Sequence, residues 1–293
     1  MDLAYLRAHP QHLPTFLTHQ RIRETPVSGG DVCAASRLTL DDGTSIFAKS
    51  WPGGSPPEGF FEAEAAGLAW LGAAGAVPVP EVLVALPDLL AMEWVDPGRP
   101  STEAAAGFGR ALAALHRAGA DAFGADWPGF IGPLPLDNTP SSGSWGSWFA
   151  ERRLLPYLRR SVDRDALTPA DTAAVEQIIN TIDRYEVSEP PARIHGDLWP
   201  GNVLWARDRR AWLVDPAAHG GHRETDLATL ALFGGAPHLD TVLAAYDEVY
   251  PLADGWRARV PLHQLHLLLV HTAAFGSAYQ GAVRAAADAV LRI

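Results

Sequence analysis

Lysine is almost missing from this chain: of 23 basic residues, Lys49 is the only lysine and the other 22 are arginine. On a solvated surface either cation serves, so the bias raises one question, why a single position keeps an ammonium. A compact three-donor point charge is what a phosphate needs, and a guanidinium replaces it poorly there. Cysteine is equally scarce. Cys33 stands alone, which excludes an intrachain disulfide and a cysteine-cluster metal site and suits a reducing cytoplasm. No apolar run reaches ~18 residues, and the opening MDLAYLRAHPQHLPTF lacks the basic-then-apolar order of a secretion signal. A cytoplasmic chain with no membrane partner is therefore expected. Charged residues make up only 19% of a chain that is 47% hydrophobic, a composition that excludes disorder, fibres and coiled coils. Acidic residues outnumber basic ones 34 to 23, for a net charge of −11, which argues against phosphate-backbone binding and hence against a nucleic-acid partner.

The 293 residues contain no internal repeat and suffice for about two structural units at roughly 150 residues each. Residues 21 to 50 carry three strand patterns: RIRETPVS, VCAASRLTL and TSIFAKS. A Gly29-Gly30 turn separates the first two and Asp41-Asp42-Gly43 the last two, an Asp-Gly hairpin signal. Lys49 falls at the end of the third strand. FFEAEAAGLAWLGAAG predicts a helix closed by Gly75, and PEVLVAL and LLAMEWV predict two further strands. Beyond Pro97, Gly98 and Pro100 the pattern becomes helical, over roughly 102 to 118, 145 to 160, 168 to 185, 223 to 233, 238 to 249 and 257 to 290. This predicts an α+β chain of two lobes: an N-terminal antiparallel sheet with one main helix over 1–95, and a larger, mainly helical lobe over 96–293. The irregular stretch 120 to 144, rich in Gly, Pro and Trp, is long enough to suggest a functional loop.

The most informative passage is RIHGDLWPGNVLWARDRRAWLVDPA at 193 to 217. Asp197 and Asn202 lie five apart on a Pro/Gly loop, and an apolar hairpin then delivers Asp215. Phosphoryl transfer needs such a set, a carboxylate to orient and deprotonate a hydroxyl and an oxygen pair to hold Mg²⁺ on the phosphates. Protein kinases use the same five-residue Asp–Asn spacing, with their second metal Asp on the following hairpin. Taken alone, Asp197 could equally be a turn carboxylate capping backbone amides. Glu64 adds independent support. It shares a helix face with Phe61 and Leu68, so its carboxylate would be desolvated and would need a cation, which Lys49 on the preceding strand offers. That pairing would hold the ammonium against nucleotide phosphates; the bland alternative keeps Glu64 at the helix edge. Gly29 and Gly30 permit close backbone approach to phosphate, or form a plain turn. Met92, Glu93 and Val95, just before the linker, offer backbone groups to an adenine edge by placement alone.

These segments resemble the fructosamine (ketosamine) kinase family, relatives of aminoglycoside and choline kinases with a protein-kinase-like fold. HGDLWPGN at 195 to 202 is similar to the family's catalytic loop, and DPAAHGGHRETDLATLALFGG at 215 to 235 to its metal-Asp segment. SGGDV, FFEAEAAGLAWL, FGRALAALH, WGSWFAERRL and HTAAFGSAY extend the likeness over nearly the whole chain. The resemblance implies ATP and Mg²⁺ as cofactors, Asp197 as catalytic base, Asn202 and Asp215 as metal ligands, Lys49 as phosphate lysine and Glu64 as its partner. It also implies that Asp226 braces the catalytic loop and that His195 is a structural member of it. The implied acceptor is a glycated amine, free or protein-bound. Two departures stand out: Gly30-Asp31-Val32-Cys33 where the family commonly shows Gly-Gly-Cys-Ile, and Pro200 where a smaller residue is common.

Trp199 would face the sugar or its amine, or pack under the loop, and His271 would sit at the pocket edge. Cys33 is a redox-sensitive thiol or a small buried hydrophobe. Three rival functions remain open at this level: an aminoglycoside or other small-alcohol kinase, a catalytically silent nucleotide-binding module, and a metal hydrolase built on His195, Asp197, His219 and His222. Oligomeric state is not encoded in any readable pattern.

Overall fold

The computed structural model describes residues 1–293 except Gln20, Arg21, Gly29, Gly30, Asp31 and Glu186. The predicted Gly29-Gly30 phosphate turn therefore lies outside the described residues. Two short helices open the chain, α1 (Leu3–Ala8) and α2 (Leu13–Thr18). The strands β1 (Arg23–Pro26), β2 (Ala34–Thr39), β3 (Ser45–Ser50), β4 (Val82–Leu86) and β5 (Leu89–Glu93) form one antiparallel sheet in the order β1-β2-β3-β5-β4. Leu6 and Leu13 of the opening helices are buried with Leu38, Ile46 and Val84 of the sheet.

Between β3 and β4 runs α3 (Phe60–Gly72). It ends three residues before Gly75, the predicted terminator, which takes the left-handed conformation (φ +61°) one turn on. Its buried face carries Phe61, Glu64, Leu68 and Leu71, with Phe61 and Leu68 packed against Leu90 and Met92 of β5. The helical spacing of those apolar residues carries Glu64 into the interior with them.

From α4 (Thr102–Arg117) onward helices dominate, with the irregular stretch forming only a short hairpin, β6 (Gly129–Ile131) and β7 (Leu134–Leu136). The helix predicted over 145 to 160 is three pieces: α5 (Trp145–Phe149), a π-helical stretch over Ala150–Leu154, and α6 (Leu155–Asp163). Next comes α7 (Pro169–Asn180), opened by a Thr168/Asp171 capping box. Three short strands follow, β8 (Ala192–Ile194), β9 (Val203–Trp205) and β10 (Ala211–Leu213), then β11 (His219–Gly221), which pairs back with β8. The last helices are α8 (Arg223–Thr229), α9 (Leu239–Val249), α10 (Trp256–Phe275) and α11 (Gln280–Val290). The single helix expected over 257 to 290 is thus two. Gly276 adopts φ +80°, ψ −155°, a conformation open to glycine but not to a helix, and the chain reverses there. Val283, Ala287 and Val290 of α11 then join Leu262, Leu265 and Leu269 of α10 in one apolar cluster.

Candidate active site

The loop after β8 is held from beneath by a fully buried carboxylate. Asp226 Oδ2 accepts the His195 N–H at 2.7 Å, Oδ1 accepts the Gly196 N–H at 3.0 Å, and His116 Nε2 lies 3.2 Å from Oδ2. The seven residues of α8 are all buried, and its charged members are paired: Arg223 with Glu189 (2.6 Å) and Glu224 with Arg259 (2.6 Å). Such a helix cannot rotate without breaking those pairs. His195 takes a structural place. Its Nδ1 accepts the Asp197 N–H at 3.3 Å, which leaves Nε2 to donate to Val214 O at 2.8 Å. Substituting Asp226→Asn would aim an N–H at a backbone N–H or at His116 and leave a buried donor unpaired. A loss of roughly 3 kcal/mol of stability is expected, read from urea unfolding. An unchanged midpoint would contradict the bracing role.

Asn202 closes the loop. Its Nδ2 donates to Asp197 O at 2.8 Å and approaches Asp197 Oδ2 at 3.3 Å and Asp215 O at 3.4 Å. Asp215 follows β10 with φ +53°, a left-handed conformation uncommon for a non-glycine residue and typical of functional positions. Asp197 Oδ1 is buried and has no hydrogen-bond partner among the described residues. Burial, and then the neighbouring charge of Asp215, push its carboxyl up to about 7.

Lys49 and Glu64 meet Asp215 across the cleft. Lys49 Nζ lies 2.6 Å from Glu64 Oε2 and 2.7 Å from Asp215 Oδ1. The Lys49 and Glu64 side chains are only 9% and 10% exposed, whereas that of Asp215 is 49% exposed at the cleft surface. Burial alone would favour neutral lysine, but the two carboxylates overcome it and hold the ammonium charged. Burial raises the Glu64 carboxyl to about 7 against the pull of Lys49. Surrounding protein also opposes ionisation of Asp215, yet Lys49 more than offsets this and keeps that carboxyl below its usual range.

These groups line one cleft of about 220 Å³. Phe47, Phe60, Gly129, Ile131, Asn138, Leu267 and Val270 line it together with Lys49, Glu64, Asp197, Asn202 and Asp215. Trp199 and His271 also line it. Trp199 packs on the loop and is also exposed at the cleft. Its ring lies over Gly201, where a Cβ would sit 2.1 Å from the indole, and 6.0 Å edge-on from Phe233, yet the residue stays 36% exposed. His271 belongs to an aromatic group with Phe233 (4.9 Å) and Tyr279 (4.7 Å), and its Nδ1 bonds Leu267 O at 2.7 Å.

Met92, Glu93 and Val95 are not among the cleft-lining residues. Met92 is buried between strands, paired with Phe47 and Val82, and the Glu93 N–H is taken by Glu81 O at 2.8 Å. Cys33 lines the cleft half-buried, and burial pushes its thiol up to about 11, which favours the protonated form. The four groups of the metal-hydrolase alternative do not converge. His195 is committed as described, and His219 Nδ1 lies 2.7 Å from Ala217 O. Among the described residues, the group of possible metal ligands that does converge is His222, Glu224 and His263, with Glu224 already held by Arg259. Sequence reasoning marked 120 to 144 as functional but passed over Asn138 within it. One of the chain's three asparagines, in a segment with Pro133, Pro135 and Pro140, was the available signal.

An antiparallel sheet carrying a buried Lys–Glu pair, set over a helical region with an Asp–Asn–Asp group, defines a phosphotransferase of the protein-kinase-like fold. Aminoglycoside phosphotransferase APH(4)-Ia, solved with AMP-PNP and hygromycin B, shares that fold: TM-score 0.64 over 95% of this chain and 98% of that one, at 17% identity. The family model for fructosamine kinase matches residues 9–293, and the chain belongs to the fructosamine kinase family. A provisionally named fructosamine-3-kinase from Thermobifida fusca superposes at TM-score 0.88 with 53% identity, over 93% of this chain and 94% of that one. A provisionally named ketoamine kinase of Thermus thermophilus is 36% identical over 88% of this chain and 90% of its own length. The chloroplastic protein-ribulosamine 3-kinase of Arabidopsis thaliana is 32% identical over 91% and 82%, respectively. The chain is a phosphotransferase of the ketosamine kinase type, and no described helix is long and apolar enough to cross a membrane.

Proposed function

We propose that this chain transfers the γ-phosphate of ATP to a sugar hydroxyl of a glycated amine, free or protein-bound, in the cytoplasm. The observation that carries the reading is the Lys49 ammonium, held 2.6 Å from Glu64 and 2.7 Å from Asp215 beside the Asp197–Asn202 loop. In this reading residues 1–95 form the nucleotide-binding lobe and residues 96–293 the catalytic and substrate-binding lobe. Lys49 holds the α- and β-phosphates while Glu64 fixes the ammonium in place. Asp197 accepts the proton of the attacking hydroxyl at Oδ1, the oxygen without a hydrogen-bond partner among the described residues, while Asn202 steadies Oδ2. Its carboxyl, raised to about 7, is a base matched to neutral pH.

Carboxylate and amide oxygens are the ligand set Mg²⁺ prefers, and the exposed Asp215 side chain and the Asn202 amide oxygen fit that ion. With its Nδ2 committed to Asp197, Asn202 keeps its oxygen for a cation. Mg²⁺ bound there would neutralise charge on the phosphate oxygens. Trp199 and His271, both packed on Phe233, give the cleft an aromatic flank suited to the cationic amine of the acceptor.

Incubation with ATP, Mg²⁺ and matched panels of ketosamines and aminoglycosides, followed by mass, tests this. Phosphate transfer to ketosamines, abolished by EDTA and restored by Mg²⁺, is expected. Transfer to aminoglycosides alone, or ATP binding with no transfer to any acceptor, would overturn it.

A further inference from the structure

Asn138 is 4% exposed, lines the cleft that holds Asp197, and follows the β6–β7 hairpin. Its two amide atoms are treated unequally. Oδ1 accepts a hydrogen bond from Arg153 Nη2 at 2.8 Å, while Nδ2 is buried and has no hydrogen-bond partner among the described residues. The orientation of the amide is therefore set, because a flip would bring its N–H groups against a guanidinium that can only donate.

Arg153 is itself a fixed support. It lies on the π-helical stretch between α5 and α6, 1% exposed, stacked on Trp148 at 4.2 Å and bonded to Asp137 O at 2.6 Å. A π-turn redirects side chains relative to a regular helix and often marks a functional position. Gly129 adds a second sign. A Cβ there would lie 2.6 Å from Asn138 Nδ2, so a side chain at position 129, itself a cleft-lining residue, would displace the amide. Leaving a buried donor unpaired is unfavourable, and such groups in a binding cleft are commonly completed by ligand.

We propose that Asn138 is a specificity-determining residue whose Nδ2–H donates to a hydroxyl oxygen of the bound sugar, a hydroxyl other than the one phosphorylated, with Arg153 as its positioning residue. The inference rests on the ketosamine kinase reading. A neutral amide donor suits a neutral hydroxyl, and the aromatic flank at Trp199 and His271 is left for the amine.

The test compares wild type with Asn138→Asp, which keeps an oxygen for Arg153 and removes the N–H, and with Asn138→Ser, which shortens the side chain. Each is assayed on the glucose-derived ketosamine of glycine and on its deoxy analogues, one hydroxyl removed at a time. Both variants should raise KM for the full substrate about tenfold, the worth of one hydrogen bond. The KM for ATP should stay unchanged, and the penalty should vanish on one deoxy analogue, the one lacking the contacted oxygen. A raised KM for ATP, an equal penalty on every analogue, or no change in KM would each overturn the proposal. A wild-type protein inert towards all ketosamines would instead refute the kinase reading itself, so the two failures are distinguishable.

Discussion

Asp197→Asn is expected to lower turnover about 10²- to 10⁴-fold, the usual contribution of a positioned general base. Asparagine matches aspartate in shape, so the loop should keep its form: the backbone contacts of Asn202 and the His195 and Gly196 bonds to Asp226 do not involve the Asp197 carboxylate. What disappears is the carboxylate assigned to take the hydroxyl proton. Nucleotide affinity should persist, because Lys49, Glu64 and Asp215 form their own ion pairs without Asp197. Single-turnover phosphate transfer and ATP titration, run side by side, separate the two effects. A variant that retains near-full turnover removes Asp197 from the chemistry. One that loses ATP binding instead makes its role structural.

Lys49→Arg should cost about 10²-fold in kcat/KM, although it preserves the charge. The ammonium occupies a slot between two carboxylate oxygens at 2.6 and 2.7 Å, with its side chain 9% exposed. A planar guanidinium is wider and spreads its charge, so it cannot make both contacts from one point and still face a phosphate. Losing one hydrogen bond to a charged group costs about 1.5–3 kcal/mol, which sets that factor. In a chain with 22 arginines this substitution also asks why one position escaped the compositional bias. Steady-state kinetics with ATP as the varied substrate reads the effect. Wild-type kcat/KM in the arginine variant would mean that charge alone, and not its geometry, is required at position 49.

Much of this site was readable before any coordinates, for local reasons. The five-residue spacing of Asp197 and Asn202, the hairpin that ends at Asp215, and the position of Glu64 between Phe61 and Leu68 follow from short-range patterns. The antiparallel sheet was readable too, because Asp42-Gly43 specifies its turn and the flanking strands alternate. The boundaries of the late helices were less legible. Apolar residues continue through 257 to 290 without a periodic break, and Gly276 ends α10 by its backbone conformation, which a helical pattern tolerates on paper. Asn138 was passed over because its importance depends on Arg153, fifteen residues away on a π-turn that no propensity encodes.

Residues within a few positions of one another carry the order of the N-terminal strands and α3, the lone lysine, and the loop with Asp197 and Asn202, and these were legible in the chain alone. Packing alone brings Lys49 against Asp215, 166 positions away, sets Asp226 beneath the loop, and places Asn138 at the cleft with its oxygen on Arg153. Those contacts depend on how separate elements pack, and packing is selected by the burial of the whole apolar surface, which no short window of residues contains.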